Sequence, residues 1–169
     1  MTVGIVNISG VSEDALNMVN MMDGILERVI SVFESYAVPL PSRRYWTVGQ
    51  SAIDCEQLTM ALVQGYLGRP GDQQSQPQKC NMPRSATVLI TIAREIPVVS
   101  INGRPPTAQS ITDGAKISAV DAWVFLESLN LMDQWDGVGF GVGVIGSVDI
   151  PPPEGGFQLV TMTLTLAIP

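Results

Sequence analysis

Apolar residues recur at spacings of three and four through Leu16, Val19, Met22, Leu26, Val29, Phe33 and Tyr36, which predicts one face of a helix from about Val11 to Ala37. Ser12 suits the N-cap, Glu13 and Asp14 suit the positive end of the helix dipole, and Pro39 and Pro41 stop the helix. Met18, Met21 and Met22 read as flexible core filling rather than as a binding surface. After Pro41 the period changes to two. Ser42 to Gln50 is expected to be a strand with Tyr45, Thr47 and Gly49 on one face and Trp46 and Val48 on the other. Leu58 to Leu67 and Ala86 to Arg94 alternate in the same way, and a polar Gly/Pro/Gln loop from Gly68 to Pro83 joins them as a hairpin.

A second irregular connection, Pro97 to Ser110, carries the turn signals Asn102-Gly103 and Pro105-Pro106. Thr112 is then expected to cap a second helix ending near Asp133. Its apolar residues Ile117, Val120, Ala122, Trp123, Val124, Phe125, Leu126 and Leu129 lie nearly all round, so it is expected to be buried on more than one side. Two further strands follow. Val138 to Val148 alternates with Gly139, Gly141 and Gly143, while Phe157 to Ile168 turns Val160, Met162, Leu164, Leu166 and Ile168 to a core and leaves Thr161, Thr163 and Thr165 as a hydroxyl row. Val3 to Ile8 is a short apolar arm or edge strand. Grouped rather than alternating helices and strands indicate an α+β fold: a mainly antiparallel sheet, two helices packed on one face, and long polar loops, in one domain spanning residues 1–169.

Composition narrows the function. Apolar residues make up 46% of the chain and charged residues 15%, with a mean hydropathy of +0.25, so apolar surface is expected to be buried against other subunits. The net charge of −7 and the scatter of nine Lys and Arg argue against gripping phosphates. The chain has no histidine, which excludes Ser-His-Asp and Cys-His catalysis and His-liganded zinc, and its two cysteines cannot complete a Cys₃ or Cys₄ site. Cys55 and Cys80 flank the first hairpin, which leaves a disulfide geometrically open beside the plainer reading of two reduced, apolar-like thiols. The glycines of GVGFGVGVIG precede a strand rather than a helix, so they do not form a dinucleotide site. Asp54 and Glu56, like Glu13 and Asp14, have no distant partner that would mark them as catalytic. No cofactor is expected. MTVGIVNISG lacks the basic leader of a signal peptide and no apolar run approaches membrane-spanning length, so the expectation is a soluble protein outside any membrane. Arg43, Arg44, Tyr45 and Trp46 read as a subunit contact, since arginine and aromatic residues are what interfaces enrich.

Several segments, in order, carry a resemblance. They are Asp54-Cys55-Glu56-Gln57-Leu58, Gly68-Arg69-Pro70-Gly71-Asp72, Pro77-Gln78-Lys79-Cys80, the Arg84-to-Pro97 run ending AREIP, Ala119-Val120-Asp121-Ala122-Trp123, and Gly155-Gly156 before the last β-run. Over nearly its whole length the chain resembles the tail terminator (tail-to-head joining) proteins of long-tailed phages, especially those infecting mycobacteria and related actinobacteria. The resemblance implies a structural virion protein with no catalytic residues. Such subunits form a hexameric ring on the last ring of tail-tube protein, stop tube growth, and present the other face to the head–tail connector, while DNA passes through the lumen without specific binding. It places the protein at the tail–neck junction of a virion assembled in the host cytoplasm. In that setting Arg69, Asp72, Gln74, Gln76 and Lys79 of the 68–83 loop are expected to reach a neighbouring ring. Other readings are a head-completion adaptor or stopper, a tail-tube subunit, and a small enzyme acting through Asp54, Glu56 or Cys55.

Overall fold

The computed structural model describes residues 13–71, 83–99, 103–131 and 145–168. In chain order the elements are α1 (Glu13–Ser35), β1 (Arg43–Val48), β2 (Gln57–Leu67), β3 (Arg84–Glu95), α2 (Ala108–Leu131), β4 (Ile145–Asp149) and β5 (Phe157–Ile168). The strands make one sheet in the order β1-β2-β3-β5-β4, antiparallel throughout except for the parallel pair β1 and β2. This is the α+β architecture that the alternation predicts. The expected arm at Val3 to Ile8, the Ser12 cap, the loop tip with Cys80, the helix end near Asp133 and the glycine-alternating stretch before Ile145 lie outside the described residues.

The core follows from the period-2 pattern. Leu58 and Met60 of β2 face Ile92 and Ile90 of β3, which in turn face Val160 and Met162 of β5, and all six are fully buried. Above this face lie Met21, Met22, Ile25, Val29 and Phe33 of α1 and Val124 and Phe125 of α2, in the same apolar cluster. Burying each such side chain fully contributes roughly 1.5–3 kcal/mol before conformational entropy is counted. Phe33 and Phe125 meet edge to face at 5.5 Å and couple the two helices. The methionines of α1 are core filling, as expected. The inward face of α1 is rotated slightly from the predicted stripe, however: Met21 and Val32 are buried, while Leu16 and Tyr36 at the ends are exposed.

The helix ends before its prolines. Val38 N–H donates to the Phe33 carbonyl and Ala37 N–H to that of Glu34, with Ala37 at φ 53°, a left-handed helix cap that more often carries glycine. In α2 two expectations fail. Thr107, not Thr112, is the cap: its Oγ1 accepts from Ser110 N–H at 3.1 Å, whereas the Thr112 hydroxyl donates back to the Ala108 carbonyl inside the helix. Among the described residues α2 is also buried on one side only, through Ser118, Asp121, Val124, Phe125 and Ser128. Small polar residues can face the core because Ser118 and Ser128 donate to carbonyls one turn back and Asp121 is ion-paired. Apolar Ile111, Ile117, Val120, Trp123 and Leu126 are left exposed.

The parallel β1–β2 pair needs a crossover, and residues 49–56 supply it without a helix. They must return the length of a six-residue strand, roughly 20 Å, which requires a nearly extended path. Ile53 borders a small cavity with Phe157 and Leu159, and the Gln57 amide donates to the Ala52 carbonyl at 2.6 Å. The crossover therefore lies over the helix-free face of the sheet, where Gln57, Thr59 and Ala93 are buried. Elsewhere on that face the threonine row is half-buried, with Thr87 and Thr91 hydroxyls 3.4 Å from those of Thr165 and Thr161.

One buried ion pair ties the layers together. Arg94 on β3 donates through Nε and Nη2 to the two carboxylate oxygens of Asp121 on α2, each at 2.9 Å, and through Nη2 to the Pro39 carbonyl between α1 and β1 at 2.6 Å. Asp121 is fully buried. Asp121→Ala leaves a largely buried guanidinium without its counter-charge and is expected to cost about 3–5 kcal/mol, while Arg94→Met with Asp121→Leu recovers most of the loss. Urea unfolding of the three proteins checks this, and a single-variant cost below about 1 kcal/mol would contradict it.

Candidate assembly interface

The exposed residues of α2 form a continuous surface with its surroundings. Trp123 packs edge-on against Tyr36 at the end of α1, with ring centroids 4.6 Å apart, and both rings remain nearly half exposed. One turn back on the helix, Val120 and then Ile117 border an open groove of about 430 Å³. Its other apolar walls are Ala37, Val38, Pro39 and Ile96, and its charged rim is Glu56, Arg94, Glu95 and Lys116. The rim is committed locally: Glu56 accepts from Glu95 N–H at 3.2 Å, Lys116 pairs with Asp113 at 3.1 Å, and Arg94 is held by Asp121. What remains for a partner is an apolar strip along one side of α2, with polar groups at its border. Protein contacts have this anatomy, with an apolar centre and a polar rim.

The sequence-predicted contact at β1 is a real edge strand, but its side chains also serve the fold. Arg43 donates to Asp54 at 2.6 Å and to the Cys55 sulfur at 3.5 Å, and its guanidinium lies 5.2 Å from the centre of the Tyr45 ring. The Cys55 sulfur and the Asp54 carboxylate raise the Arg43 pKa further, and Arg43 in turn holds the Asp54 carboxyl below its ordinary range, so both are charged at neutral pH. This clasp fixes the end of the crossover to the start of β1. Arg44 donates to the Pro41 carbonyl at 2.8 Å, and the Trp46 indole N–H donates to Asp23 on α1 at 2.6 Å.

Cys55 is a free thiol, with its sulfur 3.8 Å from the Gln57 amide oxygen. Its suggested partner Cys80 lies outside the described residues, as do Asp72, Gln74, Gln76 and Lys79. Arg69 is described, just beyond the end of β2. It sits past the end of the sheet opposite to Arg43, so Arg69 is not brought together with the β1 residues of the predicted contact set. Among the described residues no group of acidic residues or cysteines is arranged to hold a metal ion, and no helix is long and apolar enough to cross a membrane.

The α2 strip escapes a reading by periodicity because the helix looks apolar on every side. The signal that locates it is the inward line of small polar residues: Ser118, Asp121 and Ser128 share a stripe with Phe125, which leaves Trp123 opposite the core and Val120 at its flank, while Ile117, one turn before Asp121 on the same stripe, is exposed at the groove. Neither protein-family models nor curated proteins give a match to this chain. Ile117→Ser with Val120→Ser is expected to shift the urea midpoint of the lone subunit little, since both side chains are half exposed, and to lower its self-association or partner binding at least tenfold. Sedimentation beside the unfolding curve checks this. Unaltered association would remove the strip from consideration as an interface.

Proposed function

We propose that this chain is a tail terminator: the subunit of a ring, hexameric by the family resemblance, that caps a phage tail tube, ends its growth and joins it to the head connector. The observation that carries the reading is the outward apolar strip of α2 with Tyr36 and Trp123, on a chain of which only 15% is charged. A subunit that worked alone would keep such a surface in water, whereas an assembly covers it. Arg94 of the AREIP run and Asp121 of the Ala119–Trp123 run, two of the segments that carry the resemblance, are the two halves of the buried ion pair.

A net charge of −7 fits a ring through which DNA slides without being held. The work of such a protein is done by fit between surfaces, and it needs neither a cofactor nor a membrane.

Purified protein added at a small fraction of the concentration of growing tail-tube protein should bind one end of each tube and shorten the tubes in proportion to the amount added. Electron micrographs and length distributions read the result. Incorporation along the tube wall would make the chain a tube subunit, and binding only to the portal-side components would make it a stopper or adaptor.

A further inference from the structure

The two free edges of the sheet fit each other. Among the described residues β1 and β4 each have one sheet neighbour, so each presents one row of backbone N–H and C=O groups on its outer side. Three reversals separate them across the sheet, from β2 to β3, β3 to β5 and β5 to β4, so β4 runs opposite to β1. A second copy placed beside the first in the same orientation therefore brings its β4 against β1 as an antiparallel pair.

Side-chain faces then fix the register. Arg43, Tyr45 and Thr47 share the helix-free face with Gln57, Thr59 and Ala61 of β2, and Ser147 and Asp149 share it with Thr163 and Thr161 of β5. A slip of one residue would turn helix-side positions against the helix-free face. The alignment that overlaps the whole five-residue β4 and keeps the faces sets Arg43 opposite Asp149, Tyr45 opposite Ser147, and Trp46 opposite Gly146, whose side-chain space is filled by Leu129 of its own subunit. The pairing is complementary in charge. Arg43 is half exposed despite its Asp54 clasp, and Asp149 is exposed with only the Ser147 hydroxyl beside it, at 3.3 Å. Opposite charges directly across a strand pair favour the contact.

We propose that β4 of one copy adds to β1 of the next, in this register, and that a second copy of this chain is the partner of both edges. The contact is head-to-tail, using two different patches on each subunit, and such contacts close into rings when the rotation between copies allows it. The helical layer of each subunit stays on the same side of the joined sheet, which leaves the α2 strip for other contacts. The proposal rests on the ring reading above.

Cysteine cross-linking tests it, in a Cys55→Ser, Cys80→Ser background and with tail-tube protein present. Tyr45→Cys with Ser147→Cys should give, on oxidation, a ladder of covalent oligomers ending in one closed species, whereas either substitution alone should give none. Within one subunit the two positions are four strand spacings apart, about 19 Å, too far for a disulfide. Asp149→Lys sets like charges opposite each other and should raise the subunit concentration needed for assembly about threefold to tenfold, with the thermal midpoint of the subunit unchanged. Rings visible by native mass spectrometry but without the covalent ladder would overturn the edge pairing and leave the ring. Dimers from a single-cysteine variant would replace it with a two-fold contact of like edges. A chain that stays monomeric with tubes present would overturn both.

Discussion

The bidentate pair between Arg94 and Asp121 sets more of this structure than its two side chains suggest. Withdrawing two charges from water costs several kcal/mol each, and only good geometry with further hydrogen bonds offsets that cost. Here the guanidinium meets both carboxylate oxygens and a backbone carbonyl between α1 and β1. Because successive helix residues turn by about 100°, fixing Asp121 toward the sheet fixes the rotation of all of α2. Ser118, Val124, Phe125 and Ser128 must then point inward and Val120 and Trp123 outward. The buried charge thus decides which apolar side chains of the helix stay exposed.

Much of the fold was legible because strand alternation is a local signal. The runs in β3 and β5 name their own buried faces, and the buried set Val160, Met162, Leu164 and Leu166 is the predicted one apart from half-buried Ile168. The parallel pairing of β1 with β2 was not legible, since it depends on where an irregular crossover travels and on the Arg43–Asp54 clasp that ends it. The start of α2 was misplaced because two threonines stand near it, and only the hydrogen bond from Ser110 N–H distinguishes Thr107 as the cap.

The proposed contact surface was half legible. Arg43 to Trp46 do form a strand at the sheet edge, yet the polar heads of Arg43, Arg44 and Trp46 are also spent within the subunit. The α2 strip was hidden by a simple rule that fails here, that the apolar side of a helix faces its own core. It fails because satisfied serines and a paired aspartate take that place, and the apolar side chains they displace are left to the surface.

An apolar strip and two sheet edges, on a chain of low charge content, are what the proposed ring subunit would bury, and the tail–head junction is the assembly that the chain's resemblance names. An electron-microscopic reconstruction of virion necks in which this chain carries a compact fused tag tests that placement most directly. Added density confined to a single ring between the last disc of the tail tube and the head connector is the predicted result. Tag density repeated along the tube, or absent from the virion, would contradict it.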